Sequence, residues 1–303
     1  VTYRDDVTSQ EERIEALNGR MTAASLMGPM EASGSLVARN IPLSFKVSTG
    51  TFVQRRTLPF TAEIEFVPGE VKTKFAGTLS GLTDAPRLKG TFEASGENLR
   101  QFAGAFTGAP MLPGLMARPF TLEAAVSGSQ EGAEINDLNV SLADTKASGE
   151  VTASFGNMIE ADLKLTVNRL DLDEFLVVPA GNGQPVEPAK LPPSSESPVS
   201  PKAGAPKHAK PAEAGIPKNL AAHLNLSVGS TTFRGGLISE AQVDVSVANG
   251  EITVNQMSAQ LPGASDLAVF GFVTMPGGAP QFDGTMDVST NDLRAVLGWL
   301  GVD

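Results

Sequence analysis

Strict alternation of apolar and polar residues runs through most of this chain and restricts what it can become. Phe60, Ala62, Ile64 and Phe66 alternate with Thr61, Glu63 and Glu65, the period-two pattern of a strand with one buried and one wet face. After Pro68-Gly69 the pattern resumes with Val71, Thr73 and Phe75 against Lys72 and Lys74. A turn there sets Glu65 opposite Lys72 and Glu63 opposite Lys74, opposite-charge pairs worth about 0.2–1 kcal/mol each. Val243, Val245 and Val247 repeat the design, and Asn249-Gly250 is a strong hairpin signal. Ile252 and Val254 then return opposite Val247 and Val245. Further strands are expected over 120–126, 135–142, 149–155, 161–167, 220–228 and 267–273. Short strands separated by turn residues point to meandering antiparallel hairpins. The fold expected is mostly β: an elongated, curled antiparallel sheet, a β-groove, with a few short capping helices.

Two of those helices belong to an internal repeat. Leu99, Phe102 and Phe106 fall at helical spacing, as do Leu293, Val296, Leu297 and Leu300. Asn98 and Asn291 or Asp292 are placed to cap the free N–H groups of these segments. Each helix follows a matching strand, 86–95 in one case and 280–289 in the other, without a gap at an offset of 194 residues. A looser third copy runs through Leu163 and Leu165 to Leu170-Asp171-Leu172-Asp173-Glu174-Phe175-Leu176. A repeated strand-to-helix unit suggests stacked modules sharing one elongated core. The apolar stripes of the helices are expected to cap an open end or edge of the sheet.

The repeat is interrupted once. Residues 179–218 hold ten of the 21 prolines and almost no large apolar side chains, so they cannot offset the entropy of ordering a backbone. We expect three parts: a β-rich segment over 1–178, a Pro-rich disordered linker over 179–218, and a second β-rich segment over 219–303, cut at its end. The chain opens at Val1 without an initiator Met and stops soon after an amphipathic segment, as a piece of a longer protein would.

Composition narrows the chemistry. There is no cysteine and there are only two histidines, which removes thiolate nucleophiles and leaves little for zinc or triad chemistry. His208 lies in the linker, and His223 sits in a strand where it is expected to face solvent. Asp171, Asp173 and Glu174 read as acidic residues favouring a helix N-terminus. No GxSxG, HExxH, P-loop or EF-hand pattern is present. We therefore expect no enzyme, no cofactor and no metal. A net charge of −11 argues against nucleic acid as a partner. No run of residues is long and apolar enough to cross a bilayer as a helix.

The opening Val1-Thr2-Tyr3-Arg4-Asp5-Asp6, the step Gly28-Pro29-Met30-Glu31-Ala32-Ser33-Gly34, the unit from Gly90 to Phe106, the stretch Leu170 to Leu176, and the block from Leu224-Asn225-Leu226-Ser227 through Asn249-Gly250 to Leu297 together resemble the AsmA family. The resemblance covers nearly the whole chain outside the Pro-rich insert, and its specificity lies in the order of several weak motifs. It implies an envelope protein of Gram-negative bacteria, held in the inner membrane by one N-terminal helix that would lie outside this segment, with the remainder periplasmic. It further implies a role in outer-membrane biogenesis, phospholipid passage between the two membranes along a bridge-like β-groove, and outer-membrane assembly proteins as partners.

A lipid-carrying reading is compatible with the residues themselves. A sheet with one apolar face must close into a barrel, pack a second layer or curl around a guest. In the last case Phe60, Ile64, Phe66, Val71, Phe75, Val243, Val245, Val247, Ile252 and Val254 line the surface that meets phospholipid acyl chains. Burying ~15 methylenes at ~0.8 kcal/mol each gives ~12 kcal/mol, about half that in an open groove. The alternative is an envelope scaffold whose apolar residues are ordinary core. An outer-membrane barrel is disfavoured, since one Trp and one Tyr cannot build aromatic girdles.

Overall fold

Alternation on this scale produces one sheet. The computed structural model describes residues 2–4, 11–25, 27–53, 56–107, 112–176, 219–274 and 281–302, with side chains from Ile14 onward. The Pro-rich segment, His208, Asp5 and Asp6 lie outside the described residues. In the N-terminal part the strands are β1 (Thr2–Arg4), β2 (Glu11–Ala23), β3 (Met30–Ala38), β4 (Ile41–Thr49), β5 (Thr57–Phe66), β6 (Val71–Ser80) and β7 (Arg87–Gly96). Helix α1 (Leu99–Thr107) follows, then β8 (Phe120–Gly128), β9 (Gly132–Leu142), β10 (Thr145–Phe155) and β11 (Ile159–Asp171), leading into α2 (Leu172–Leu176). The C-terminal part holds β12 (Leu220–Phe233), β13 (Gly236–Ala248), β14 (Glu251–Leu261), β15 (Ser265–Thr274), β16 (Gln281–Thr290) and α3 (Leu293–Leu300).

Every strand pairs with its neighbours in sequence, from β1 to β16. Apart from the three-residue β1, this is one long open, uncurled sheet of 15 strands. The mostly-β architecture with few short helices is as the alternation predicts. The sheet is flatter than a groove, however, and presents a broad open face. One pairing also departs from the antiparallel pattern: β11 and β12 run parallel, with Leu163 beside Leu224 and Leu165 beside Leu226. A parallel pair needs a long crossover, and segment 177–219 provides it. The insert therefore separates two parts of one continuous sheet.

The hairpins form in the expected register. Glu63 faces Lys74 and Glu65 faces Lys72, with Lys72 Nζ 3.7 Å from Glu65. Val247 faces Ile252 and Val245 faces Val254. Asn249 and Gly250 take φ of 54° and 83°, as a two-residue turn matching the strand twist requires.

The repeat is equally concrete. Gly69 and Gly263, 194 residues apart, have φ of 75° and 80°, and each touches the carbonyl of the residue that caps the following helix, Asn98 or Asp292. Asn98 Oδ1 accepts from the Gln101 N–H at 2.9 Å, and Asp292 Oδ1 from Ala295 N–H at 3.0 Å. In the looser copy Asp171 Oδ1 accepts from Glu174 N–H at 2.9 Å. The most buried side chains, Val71 and Ser265, occupy equivalent positions. Asn98→Ala or Asp292→Ala is expected to cost about 1 kcal/mol and to speed hydrogen exchange at the amide of Gln101 or Ala295. Unchanged exchange would show that packing alone holds the helix.

The three helices cover one end of the sheet. Each follows a strand running in the same direction, β7, β11 or β16. α1 folds back so that Phe102 and Phe106 meet Phe66 at ring distances of 5.1 and 5.9 Å. α3 lies over the β12–β13 turn, where Trp299 Nε1 donates to the Phe233 carbonyl at 2.8 Å. Among the described residues the buried apolar side chains are few and include Ile41, Val71, Leu115, Phe120 and Val296. The covered core is thus small and gathered near the capped end.

Candidate functional site

Side-chain parity, followed strand by strand through the ladders, sorts the sheet into two chemically distinct faces. One row reads Phe45–Ile64–Thr73–Ala94–Leu122–Val140–Ala147–Val167–Val228–Ala241. It continues on the same face through Val243–Met257–Val269–Met286. The opposite face carries Lys46–Glu63–Lys74–Glu93 across β4 to β7, a ladder of alternating charge. Further along it, Lys164 Nζ meets Glu150 at 2.8 Å, and that hydrogen bond holds the ammonium above its ordinary pKa.

All ten proposed lining residues stand on the apolar face. Phe60, Ile64, Phe75, Val243, Val245, Val247, Ile252 and Val254 are half-buried, and no second layer of described residues lies above them. Phe66 and Val71 are different. Phe66 is engaged by α1, and Val71 is only 1 % exposed, so these two belong to the covered core at the capped end. Sequence periodicity cannot separate the two groups, because burial under a helix and burial in the sheet use the same residue types.

Elsewhere no layer of described residues covers the face. Met21, Phe155, Ile159, Met257, Phe282, Met286 and Val288 are exposed despite standing on the apolar side. With strands about 4.8 Å apart, fifteen of them make a face about 65–70 Å wide. Glycines thin it in places: Gly77 faces Gly90 and Gly271 faces Gly284, with Phe75 and Phe282 rings lying against these pairs. The glycine pairs recur at the same 194-residue offset. Three depressions of about 320–420 Å³ lie on the polar side, lined by residues such as Glu63, Lys74, Glu123 and Asp287.

The polar candidates among the described residues are all tied into structure. His223 does face the wet side, but it is held: Nε2 lies 3.1 Å from Asp244 Oδ1 and Nδ1 lies 3.5 Å from Asp162 Oδ1. Asp162 and Asp244 sit on β11 and β13, so the ring on β12 bridges the strands on either side of its own, across the parallel seam on one side. Asn255 donates to Asp244 at 2.7 Å and to Ser246 at 2.7 Å. Asp173 accepts from the Arg234 and Gly235 N–H groups, and Glu174 meets Arg118 at 3.3 Å. Among the described residues no cluster of His, Cys, Asp and Glu is arranged to hold a metal, and no helix is long and apolar enough to cross a membrane.

Asp244 responds to this network. Hydrogen bonds from Asn255, then from His223, hold its carboxyl below the ordinary value of 3.8. A depressed carboxylate contributes stability that is complete above the unfolded pKa and is lost as pH falls through the lower folded value. Asn255→Ala removes the largest cause, so Asp244 is expected to titrate at higher pH in a carbon-detected NMR titration. An unmoved titration would assign the effect to the remaining partners.

No family model, no curated protein sequence and no solved structure matches this chain. The face itself is therefore the basis for reading function.

Proposed function

We propose that the apolar face binds phospholipid acyl chains and lets them travel along the sheet. The observation that carries this reading is a face free of charge along the row from Phe45 to Met286, over which the described residues form no second layer. Exposed apolar patches beyond a few hundred Å² mark interaction sites, and Met21, Phe155, Phe282 and Met286 stand exposed on this face. An acyl chain of about 20 Å crosses four or five strands at about 4.8 Å spacing. It needs no fixed donor, so contact can pass from one strand to the next with little change in energy. The parallel β11–β12 seam supports passage, because it keeps the apolar rows of the two parts in register.

Together with the sequence's resemblance to the AsmA family, the apolar face supports reading the chain as the periplasmic portion of an inner-membrane-anchored protein. There it would move phospholipid between inner and outer membranes in support of outer-membrane biogenesis, with outer-membrane assembly proteins as partners and without enzymatic chemistry. Organic extraction of the purified protein followed by mass spectrometry tests the binding step. Co-purifying phospholipid, restored after delipidation by incubation with phospholipid vesicles, is the expected result. Protein that stays lipid-free under both conditions would favour a structural scaffold of the envelope.

A further inference from the structure

The end of the sheet opposite the three helices is a rim of hairpin turns, and the charge along it is uneven. The hairpins joining β8 to β9, β10 to β11 and β13 to β14 carry Glu131 and Glu134, Glu160, and Glu251 at or beside their turns. Segments 51–60 and 78–90, which hold the β4–β5 and β6–β7 turns, carry four cations and one carboxylate, Asp84, in a chain with a net charge of −11. Arg56, Arg87 and Lys89 are the described cations there, and all three are exposed.

Their surroundings set them apart from other cations of the wet face. Lys72 meets Glu65, Lys164 meets Glu150, and Lys74 faces Glu63 and Glu93. Arg87 instead faces Ser80, and Lys89 lies between Thr78 and Ser127. Arg56 precedes Thr57, which faces Ser80 from the other side. None of the three cations forms an ion pair with a described residue. Further along the ladder, Glu134 on β9 faces Ser127 and accepts from its hydroxyl at 3.3 Å. Three cations set among hydroxyls offer the donors that phosphate oxygens take.

Position ties these donors to the apolar face. Leu58, Leu79 and Leu88 form a row on that face one residue in from the rim. Phe60 and Phe75 stack behind the row at a ring distance of 5.1 Å. Arg56 and Thr57 directly precede Leu58, and Leu88 stands between Arg87 and Lys89. Thr57 and Arg87 are two strand spacings apart, about 10 Å at about 4.8 Å each. Two arginine side chains, with their stems along apolar surface and their heads in water, close such a gap from either side.

The internal repeat supplies a contrast. At the 194-residue offset Arg87 and Lys89 are replaced by Gln281 and Asp283, while the apolar position between them is kept, as Leu88 and Phe282. The strand therefore forms without these cations, and they distinguish the first copy from the last.

We infer that Arg56 and Arg87, with Lys89 behind them, hold the phosphate of a phospholipid whose acyl chains lie on the adjoining apolar face. The inference rests on reading that face as an acyl-chain surface, and adds where the headgroup sits and what selects it. The first methylenes cross Leu58, Leu79 and Leu88, and the headgroup overhangs the rim. There the guanidinium groups take the phosphate in charge-assisted hydrogen bonds.

The test uses the delipidated full chain and three probes: dioctanoyl phosphatidic acid, dioctanoylglycerol, which has the same chains without phosphate, and inorganic phosphate. Calorimetric titration is expected to show phosphatidic acid binding at least tenfold more tightly than the diacylglycerol, and inorganic phosphate at least 100-fold more weakly than phosphatidic acid. Arg56→Gln with Arg87→Gln closes the gap between the two lipids and leaves diacylglycerol affinity unchanged. Lys72→Gln with Lys164→Gln removes the same charge elsewhere on the wet face and preserves the gap. Diacylglycerol binding with no gain from phosphate overturns this inference and leaves the acyl-chain reading standing. A gap that survives the arginine changes, or that the lysine changes also close, overturns it too. Inorganic phosphate as tight as phosphatidic acid would make this a free-anion site. Failure of both lipids to bind strikes the acyl-chain reading itself, and this site with it.

Discussion

A Val71→Asp substitution is expected to unfold the first strand–helix unit. Val71 is 1 % exposed and begins β6 at the capped end, where its Cγ2 and the Phe120 ring crowd the space beside Gly96. A carboxylate there loses its water without gaining a partner, at a cost of several kcal/mol. About 4 kcal/mol would lower the melting temperature by about 8–16 °C for a chain of this size. Val245→Asp, on the same face but half-buried and away from the helices, is expected to cost much less. Circular dichroism melts of the two variants separate the covered core from the open face. Equal, small shifts in both would mean that α1 does not seal this end of the sheet.

The second large effect concerns binding. Leu224 and Val245 face one another across β12 and β13, beside the parallel seam. Changing both to Asp sets two carboxylates in the middle of the apolar row. Contact with about two methylenes per site at ~0.8 kcal/mol each is lost. At about 1.4 kcal/mol per tenfold, acyl-chain affinity is expected to fall by about 100-fold. Stability should change little, because both positions are partly open to water. Displacement of a fluorescent fatty-acid probe measures the loss, and urea denaturation checks the fold. Undiminished affinity in a folded double variant would remove this part of the face from the binding surface.

Much of this architecture was legible in the residues, for a definite reason. Alternation in Phe60–Phe66 and Val243–Val247 fixes both the strand and the face, and Pro68-Gly69 and Asn249-Gly250 fix the hairpin registers. Asn98 was legible as a cap, and the second cap lay between Asn291 and Asp292, of which Asp292 takes the role. The parallel seam was not legible, because β11 and β12 look like any other strands and their relation depends on a crossover that carries no pattern. Bulges hid part of the face as well. Ile135 and Leu138 are three residues apart, yet both join the apolar row, because Asp137 takes a φ of 51° and shifts the register against β8. Val254 and Met257 behave in the same way on β14. The partners of His223 were equally hidden, since Asp162 and Asp244 come from two other strands. The openness of the sheet is a property of many strands together, which local alternation does not encode.

The account rests on lipid lying along the apolar face across both parts of the sheet. A photo-crosslinking amino acid placed singly at Ile64, Leu122, Leu163 and Val245, and at their wet-face neighbours Glu65, Glu123, Lys164 and Ser246, tests it directly. After incubation of the delipidated protein with radiolabelled phospholipid, the four apolar positions are predicted to capture label and the four wet positions to remain blank. Label on both faces alike, or on neither, would contradict it.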